Sequence, residues 1–243
     1  MSVGFWCLQT YTLLAYGYAG VRRQFDAIQR RNFRPGVFNS PKCEDRTLTI
    51  ACLGWGSLYW QPRGLPVAES SWQTDGPSLP LEFARQSGTK KSDNGPITLV
   101  IVEGLVCPVL WTELIVPDLL AGVQVLADRE DIRDKNINND IGRWPSKTGR
   151  SYSYVKVIAE WAAAKGLDGV VWTALPCGLK GSRNSMPSLE QIVGHLKKLR
   201  GQDLDHAAEY IRNAPPQITT PFRRTLERVL LEVEAERAGP EGL

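Results

Sequence analysis

Short runs of apolar and β-branched residues recur through the first half of the chain, and each run predicts a strand. Residues 47–53, TLTIACL, have the composition of a buried strand that leads into Gly54 and Gly56. Three more runs predict strands: LEFARQ at 81–86, ITLVIVE at 97–103 and VCPVLWTEL at 106–114. The Glu103-Gly104 step between the last two is typical of a hairpin turn. Residues 61–80, with four prolines, predict an extended surface segment.

Helical spacing of apolar residues dominates the rest of the chain. Pro117 suits the first position of a helix, Gly166 suits a helix end, and Ser188 and Gln191 have the spacing of a capping box. We predict helices at 118–128, at 154–165, from 188 to 200, in a shorter segment that ends before residue 214, and at 221–237, with a buried strand, GVVWTAL, at 169–175. The sum is an α+β domain with a helix-rich C-terminal third.

Charge is distributed unevenly along the chain. The 243 residues include 29 Lys+Arg and 26 Asp+Glu, a net charge of +3 at pH 7. Residues 1–45 hold six basic and three acidic residues, which leaves 23 of each sign from residue 46 onward. A neutral body offers no broad basic face for phosphates, so we expect no nucleic acid as its main ligand.

We expect residues 1–45 to be a poorly ordered extension or an over-called start, and residues 46–243 to be the folded domain. Proline and glycine at 34–41 indicate a linker before this boundary. Residues 3–20 carry no charge, as a membrane anchor would, but no basic residue precedes them and polar side chains interrupt them. We therefore expect no membrane anchor. The sequence indicates no particular oligomeric state.

Five cysteines are scattered without Cys-x-x-Cys spacing, and the chain has two histidines. This pattern favours neither a zinc site nor a disulfide framework, so no metal is expected. Cys52, Cys107 and Cys177 lie in apolar runs, as free thiols of a reducing compartment do, and we expect a cytoplasmic protein. A hydrolase pair of Cys177 and His195 is a weaker alternative, because both His195 and His206 lie in charged helical segments.

The loop GWGSLYW at 54–60, which follows the first predicted strand, is the most informative stretch. Gly54 and Gly56 let the backbone turn sharply and leave amide groups facing outward, so the loop can hold a carboxylate or an oxyanion. Ser57 adds a hydroxyl, and the aromatic residues can line a cavity. The alternative is a β-bulge whose aromatic side chains belong to the core.

This loop resembles the Tyr-Gly-Ser-Leu-x-Trp loop of the ChaC-type γ-glutamylcyclotransferases and the Tyr-Gly-Ser-Asn loop of the wider γ-glutamylcyclotransferase-like family. In that family the loop follows the first strand, as it does here. LADRE at 126–130 resembles the family's Leu-Asp-x-Arg-Glu segment, whose glutamate corresponds to Glu130. Trp55 stands where the family has tyrosine, so that hydroxyl is lost or replaced by Ser57 or Tyr59. The resemblance covers residues 47–132.

The resemblance implies a small mixed β-barrel or sheet with flanking helices. It also implies an enzyme without a cofactor that cyclises a γ-glutamyl amide to 5-oxoproline and releases the amine, with Glu130 as the general acid/base. A small γ-glutamyl compound would then be held by the loop residues Gly54, Trp55, Gly56, Ser57 and Leu58. The second hypothesis is a non-catalytic module of the same fold that binds a small metabolite or a protein.

An acid/base carboxyl group needs apolar surroundings that raise its pKa, and tryptophans 55, 60 and 111 can supply them. The charge pattern alone favours a different interpretation, a solvated Glu130 at a helix end, and Asp128 and Asp131 are weaker candidates for the same role.

Glu82 and Arg85 are the charged residues of the predicted strand LEFARQ. Their odd separation places them on opposite faces of an ideal strand. Arg85 can bind a substrate carboxylate, and the alternative is that both residues are exposed or paired structurally.

Overall fold

The computed structural model describes residues 47–67, 72–88, 94–146 and 154–238. The predicted extension, residues 1–45, lies outside the described residues, and the boundary at residue 46 stays a prediction. The described residues form six strands and seven helices, which confirms the predicted α+β class. No helix among the described residues is both long and apolar enough to cross a membrane.

The strands form two separate sheets. They are β1 (Ile50–Gly54), β2 (Ser78–Gln86), β3 (Ile97–Pro108), β4 (Leu110–Leu114), β5 (Ile141–Trp144) and β6 (Gly169–Thr173). One mixed sheet has the order β4-β1-β6-β5, in which β1 is antiparallel to β4 and parallel to β6, and β5 is antiparallel to β6. β2 and β3 form an antiparallel pair. The described strands thus make two open sheets, and the closed barrel that was one expected form is absent from this part of the chain.

The helices of the described residues are α1 (Ser57–Trp60), α2 (Leu119–Arg129), α3 (Asp134–Asp140), α4 (Val155–Lys165), α5 (Leu189–Leu196), α6 (Gly201–Asn213) and α7 (Arg223–Ala238). As predicted, Gly166 ends α4 in the left-handed conformation (φ 69°), and Ser188 and Gln191 form a capping box at α5. α2 is capped by Asp118, whose carboxylate accepts a hydrogen bond of 2.8 Å from the first turn, and Pro117 precedes the helix.

Both faces of the four-stranded sheet are buried, because successive residues of a strand point to opposite faces. Ile50 and Cys52 of β1 pack in a cluster with α2 on one face. Ala51 and Leu53 pack on the other face in a larger cluster that includes β2, β3 and the helices α4 to α7. The C-terminal end of β1, where the loop GWGSLYW begins, therefore lies between α2 and the C-terminal helices.

Two predictions are wrong, and two elements were not predicted. Glu103 and Gly104 form no hairpin turn, because β3 continues to Pro108 and the residues at 102–105 bulge out of its ladder with β2. The polar sequence of α3 and the four-residue β5 gave no periodic pattern to detect. α6 has 13 residues and is longer than α5, which has 8, although the pattern predicts the reverse.

Candidate active site

The loop after β1 leads directly into the single turn of α1. Its two glycines, Gly54 and Gly56, are needed because a side chain at either position would have no room. A Cβ at Gly54 would lie 2.6 Å from the ring of Trp72, and one at Gly56 would lie 2.1 Å from the Tyr210 hydroxyl oxygen. Gly56 has a φ of −138°, outside the left-handed region that favours glycine. The glycines therefore let other side chains approach the backbone closely.

Arg129 connects Glu130 to this loop. Its Nη1 donates to Glu130 Oε1 at 2.7 Å, while its Nη2 donates to Ser57 Oγ at 3.2 Å and to the Gln61 carbonyl oxygen at 2.7 Å. The Arg129 side chain is 4% exposed and that of Glu130 is 18% exposed. One guanidinium thus joins both sequence motifs, and the expectation of a solvated Glu130 is not met.

Burial dominates the electrostatics of Glu130. It raises the pKa of the carboxyl group above its usual 4.5, and the charge and hydrogen bond of Arg129 act in the opposite direction. Arg63 and Arg85 also lower this pKa through their charges. Burial together with the Glu130 charge raises the pKa of the Cys52 thiol to about 12, so this thiol stays neutral. The charges of three arginines thus favour the ionised form of Glu130, while burial opposes it.

Arg85 lies within the electrostatic field of Glu130. Burial, reinforced by the charge of Arg183, lowers the pKa of Arg85 to about 10, and the charges of Asp140 and Glu130 oppose that shift. Its Nη1 donates to the Pro176 carbonyl oxygen at 2.7 Å. Among the described residues, its other guanidinium nitrogens have no acceptor, so they remain available to an anion.

Glu82 makes structural contacts within the fold, and Arg85 lies three residues later in β2. The β2/β3 ladder shifts register between Phe83 and Arg85, so side chains do not alternate strictly along this part of β2. The prediction that Glu82 and Arg85 lie on opposite faces assumed that strict alternation. Glu82 is 4% exposed, and its carboxylate accepts hydrogen bonds from the Thr220 hydroxyl at 2.5 Å and from the Phe222 amide at 3.2 Å. This carboxylate joins β2 to the start of α7.

Two of the predicted loop side chains point into the core. Trp55 is 4% exposed and its Nε1 donates to the Leu99 carbonyl oxygen at 3.3 Å, while Leu58 is 5% exposed. Trp60 packs edge-on against Tyr210, with 5.3 Å between ring centroids. In the loop, the Ser57 hydroxyl and the exposed Tyr59 side chain are therefore the side-chain groups left to face a ligand.

Trp111 lies on the other face of the four-stranded sheet from Cys52, since it pairs with Leu53 in the β1/β4 ladder. Its indole N–H donates to Asp75 at 2.8 Å, and its ring packs edge-on against Trp161 at 5.3 Å. It therefore does not join the cluster around Glu130, and the expectation of a wall from this tryptophan is wrong.

A cavity of about 330 Å³ adjoins Arg129 and is also lined by Arg63, Asp128 and Asp131. Arg63 and Asp131 have φ values of 53° and 52°, in the left-handed region that costs most residues about 1 kcal/mol or more. The Asp128 carboxylate accepts a hydrogen bond from a side chain on α2 at 2.8 Å. These two aspartates border the cavity beside the Arg129 and Glu130 pair.

Arg129 and Tyr210 are the members of the cluster that the sequence reasoning missed. Arg129 precedes Glu130 in LADRE, so a search for cations adjacent to the candidate base would have found it. Tyr210 lies 150 residues after Trp60 and carries no local signal, because only the packing of α6 brings it to the loop.

The described residues contain no group of histidine, cysteine, aspartate and glutamate side chains that could hold a metal ion. The alternative pair of Cys177 and His195 gains no support, since His195 Nε2 is hydrogen-bonded to the Gly95 carbonyl oxygen at 2.8 Å.

Comparisons with known proteins give structural similarity alone. No family model and no curated protein matches the chain. Among solved structures, the fold is similar to a glutathione-specific γ-glutamylcyclotransferase from yeast, with 13% sequence identity and a TM-score of 0.41. The match covers 76% of this chain and 98% of that one. Any functional assignment therefore depends on the residues of the site itself.

Proposed function

We propose that this protein is an enzyme of the γ-glutamylcyclotransferase type, which cyclises a γ-glutamyl amide to 5-oxoproline and releases the amine. The supporting observation is the position of Glu130. Its carboxylate is 18% exposed and is joined through Arg129 to Ser57, the hydroxyl of the loop motif. Two motifs 72 residues apart thus converge on one guanidinium.

Glu130 is the proposed general acid/base. Because burial raises its pKa above the usual 4.5, this carboxylate is a better proton acceptor than an exposed glutamate and can return the proton afterwards. It takes a proton from the substrate α-ammonium, and the free amine attacks the γ-carbonyl carbon of the same molecule. Glu130 then returns that proton to the departing nitrogen. The nucleophile belongs to the substrate, so the protein needs none.

Substrate binding is assigned to Arg85 and to the loop. Arg85 has guanidinium nitrogens without an acceptor among the described residues, and a guanidinium suits a carboxylate such as the α-carboxylate of a γ-glutamyl group. The Ser57 hydroxyl and the backbone at 54–58 would hold the substrate folded for attack. This is an orientation effect, which can contribute several kcal/mol to catalysis, on the order of 7 in well-aligned cases.

The test is release of 5-oxoproline from a panel of γ-glutamyl peptides and amines, glutathione included. We expect the purified protein to release 5-oxoproline from at least one compound, and Glu130→Gln to abolish the release while circular dichroism shows an unchanged fold. Asp128→Asn is the matched control, because Asp128 lies on the same helix end with its carboxylate paired to another side chain. This variant should retain activity.

Two outcomes would count against the enzyme. Equal release by Glu130→Gln and wild type would remove Glu130 from the mechanism. No release from any compound, combined with measurable binding of 5-oxoproline or glutathione by calorimetry, would favour a non-catalytic binding module. The burial of Trp55 in the core is compatible with that second function.

A further inference from the structure

Tyr210 brings a hydroxyl group from the C-terminal helices to the loop. Its oxygen lies 2.1 Å from the position that a Cβ on Gly56 would take, so it touches the loop backbone. The ring is held edge-on by Trp60 at 5.3 Å and by Phe83 at 6.3 Å. Three elements, α1, β2 and α6, therefore fix the hydroxyl at the loop.

The hydrogen-bonding state of this hydroxyl leaves its proton available. The oxygen accepts a hydrogen bond from the Leu99 amide at 3.2 Å. A phenol can also donate one hydrogen bond, and no acceptor for it is found within the described part of the chain. Burial raises the pKa of Tyr210 above its usual 10.0, and the Glu130 charge acts in the same direction. Tyr210 is thus a donor across the physiological pH range, within the electrostatic field of Glu130.

We propose that Tyr210 is a second catalytic residue, whose hydroxyl donates a hydrogen bond to the γ-carbonyl oxygen of the bound γ-glutamyl group. This inference rests on the proposed function. It adds a group that Glu130 cannot supply, a neutral donor for the oxygen on which negative charge develops.

In the proposed reaction, the α-amine nitrogen forms a bond to the γ-carbon, and the C=O π electrons move onto the oxygen. Tyr210 stabilises the negative charge on this oxygen without giving up its proton. The oxyanion then re-forms the carbonyl group, and the bond to the departing nitrogen breaks. Both protons lost by the attacking nitrogen end on the released amine, one of them through Glu130.

Tyr59 is the rival hydroxyl because it lies in the same loop. Its side chain is 41% exposed, and its ring packs edge-on against Trp72 at 6.1 Å. An exposed phenol is hydrated, so its hydrogen bond to an oxyanion gains less than that of a hydroxyl held in a low-dielectric site. The geometry therefore favours Tyr210.

The experiment compares Tyr210→Phe with Tyr59→Phe and with Tyr154→Phe, a matched change of another partly buried tyrosine at the start of α4. Steady-state 5-oxoproline release is measured on the best γ-glutamyl compound, with Glu130→Gln alongside. We expect Tyr210→Phe to lower kcat about 100-fold, as loss of an oxyanion donor does, with little change in KM. Tyr154→Phe should match wild type.

The outcomes separate the two proposals. If Glu130→Gln is inactive and Tyr210→Phe retains full kcat, or if Tyr59→Phe carries the loss, the role of Tyr210 is wrong and the proposed function stands. If wild type itself is inactive on every compound, both fall.

Phenylalanine also leaves the Leu99 amide without an acceptor, so Tyr210→Phe must be checked by thermal unfolding. Should it fail to fold, 3-fluorotyrosine at position 210 retains the contact with Leu99 and acidifies the phenol. Because a more acidic phenol is a stronger hydrogen-bond donor to an oxyanion, kcat at pH 7 should then rise above that of wild type. An unchanged kcat would overturn the role of Tyr210.

Discussion

Arg129 and Glu130 are consecutive residues whose side chains form an ion pair with 2.7 Å between Nη1 and Oε1. Neighbouring residues within a helix point in different directions and do not meet in this way. They meet here because Arg129 is the last residue of α2 and Glu130, with φ −90° and ψ 3°, already leaves the helix. The position of the Glu130 side chain, the candidate base, therefore depends on where α2 ends.

Replacing Arg129 should change the pH dependence of the enzyme. Arg129 lowers the pKa of Glu130, so Arg129→Gln should raise that pKa further, and the acid limb of kcat/KM should move to higher pH. Arg129→Lys retains a charge but cannot bridge Glu130 and the loop with a planar fork, so its shift should be smaller. The measurement is kcat/KM from pH 4 to 9 for all three proteins. An acid limb at the same pH in each would separate Arg129 from the ionisation of Glu130.

The same substitution should also destabilise the fold. Breaking a largely buried ion pair leaves an uncompensated carboxylate, which costs about 3 kcal/mol. Denaturant unfolding at pH 7 should show this loss for Arg129→Gln, and the Arg129→Gln, Glu130→Gln double variant should recover part of it. No recovery in the double variant would show that the lost stability comes from the contacts of Arg129 with the loop.

Glu82 should make stability depend on pH. Burial raises its pKa above the usual 4.5, so the native state keeps the proton at pH values where the unfolded chain has released it. The contribution of Glu82 to the free energy of unfolding should therefore be fully present below 4.5 and be lost as pH rises through the raised pKa. Glu82→Gln should flatten this fall in thermal unfolding curves from pH 3.5 to 8. Glu130→Gln is a second test of the same effect, because the pKa of Glu130 is also raised and this variant should flatten part of the fall as well. A fall of unchanged size in Glu82→Gln would contradict the assignment.

Gly142 should tolerate no side chain. A Cβ there would lie 2.1 Å from the ring of Trp172, which pairs with Gly142 across β5 and β6 and is 1% exposed. Because this ring cannot move aside, Gly142→Ala should cost about 1 to 3 kcal/mol of unfolding free energy. Gly194→Ala in α5 is the matched control, since no atom lies within 4 Å of its Cβ position. It should be neutral or stabilising by up to about 1 kcal/mol. Equal melting temperatures for the two variants would disagree with this packing.

The capping box of α5 predicts a smaller effect. Ser188 Oγ accepts from the Gln191 amide at 3.3 Å, and the Gln191 side chain accepts from the Ser188 amide at 2.9 Å. Ser188→Ala should cost about 1 kcal/mol. The exposed Ser185→Ala should change stability by less than about 0.5 kcal/mol. Urea unfolding of both variants measures the difference, and a loss of the same size at Ser185 would argue against the cap.

Local patterns predicted the parts of this molecule that local interactions determine. The buried run of β1, the Gly166 helix end and the Ser188 cap follow from residues close together in sequence. The prediction of a hairpin turn at Gly104 was wrong because glycine suits a bulge as well as a turn. Long-range pairing with β2 determined which of the two forms.

The residues of the candidate site also fall into two groups, those that local motifs predict and those that depend on long-range packing. Ser57 and Glu130 were reached through short motifs, and their convergence could be anticipated from their positions at the end of a strand and of a helix. The orientation of Trp55 could not, because its burial depends on the two-stranded sheet that supplies the Leu99 carbonyl. Tyr210 depends on how α6 packs, which no local pattern encodes.

Because the loop packs against α6, the contacts of the loop can be completed only after α6 has been synthesised. Tyr210 follows Arg129 by 81 residues, so at typical elongation rates of about 5 to 20 residues per second the ribosome makes it on the order of 4 to 16 s later. Until then, the side chain that contacts Gly56 in the folded protein is not yet part of the chain. A nascent chain would therefore hold Arg129 and Glu130 before it holds the hydroxyl, and it would gain its full chemistry in a late step of assembly.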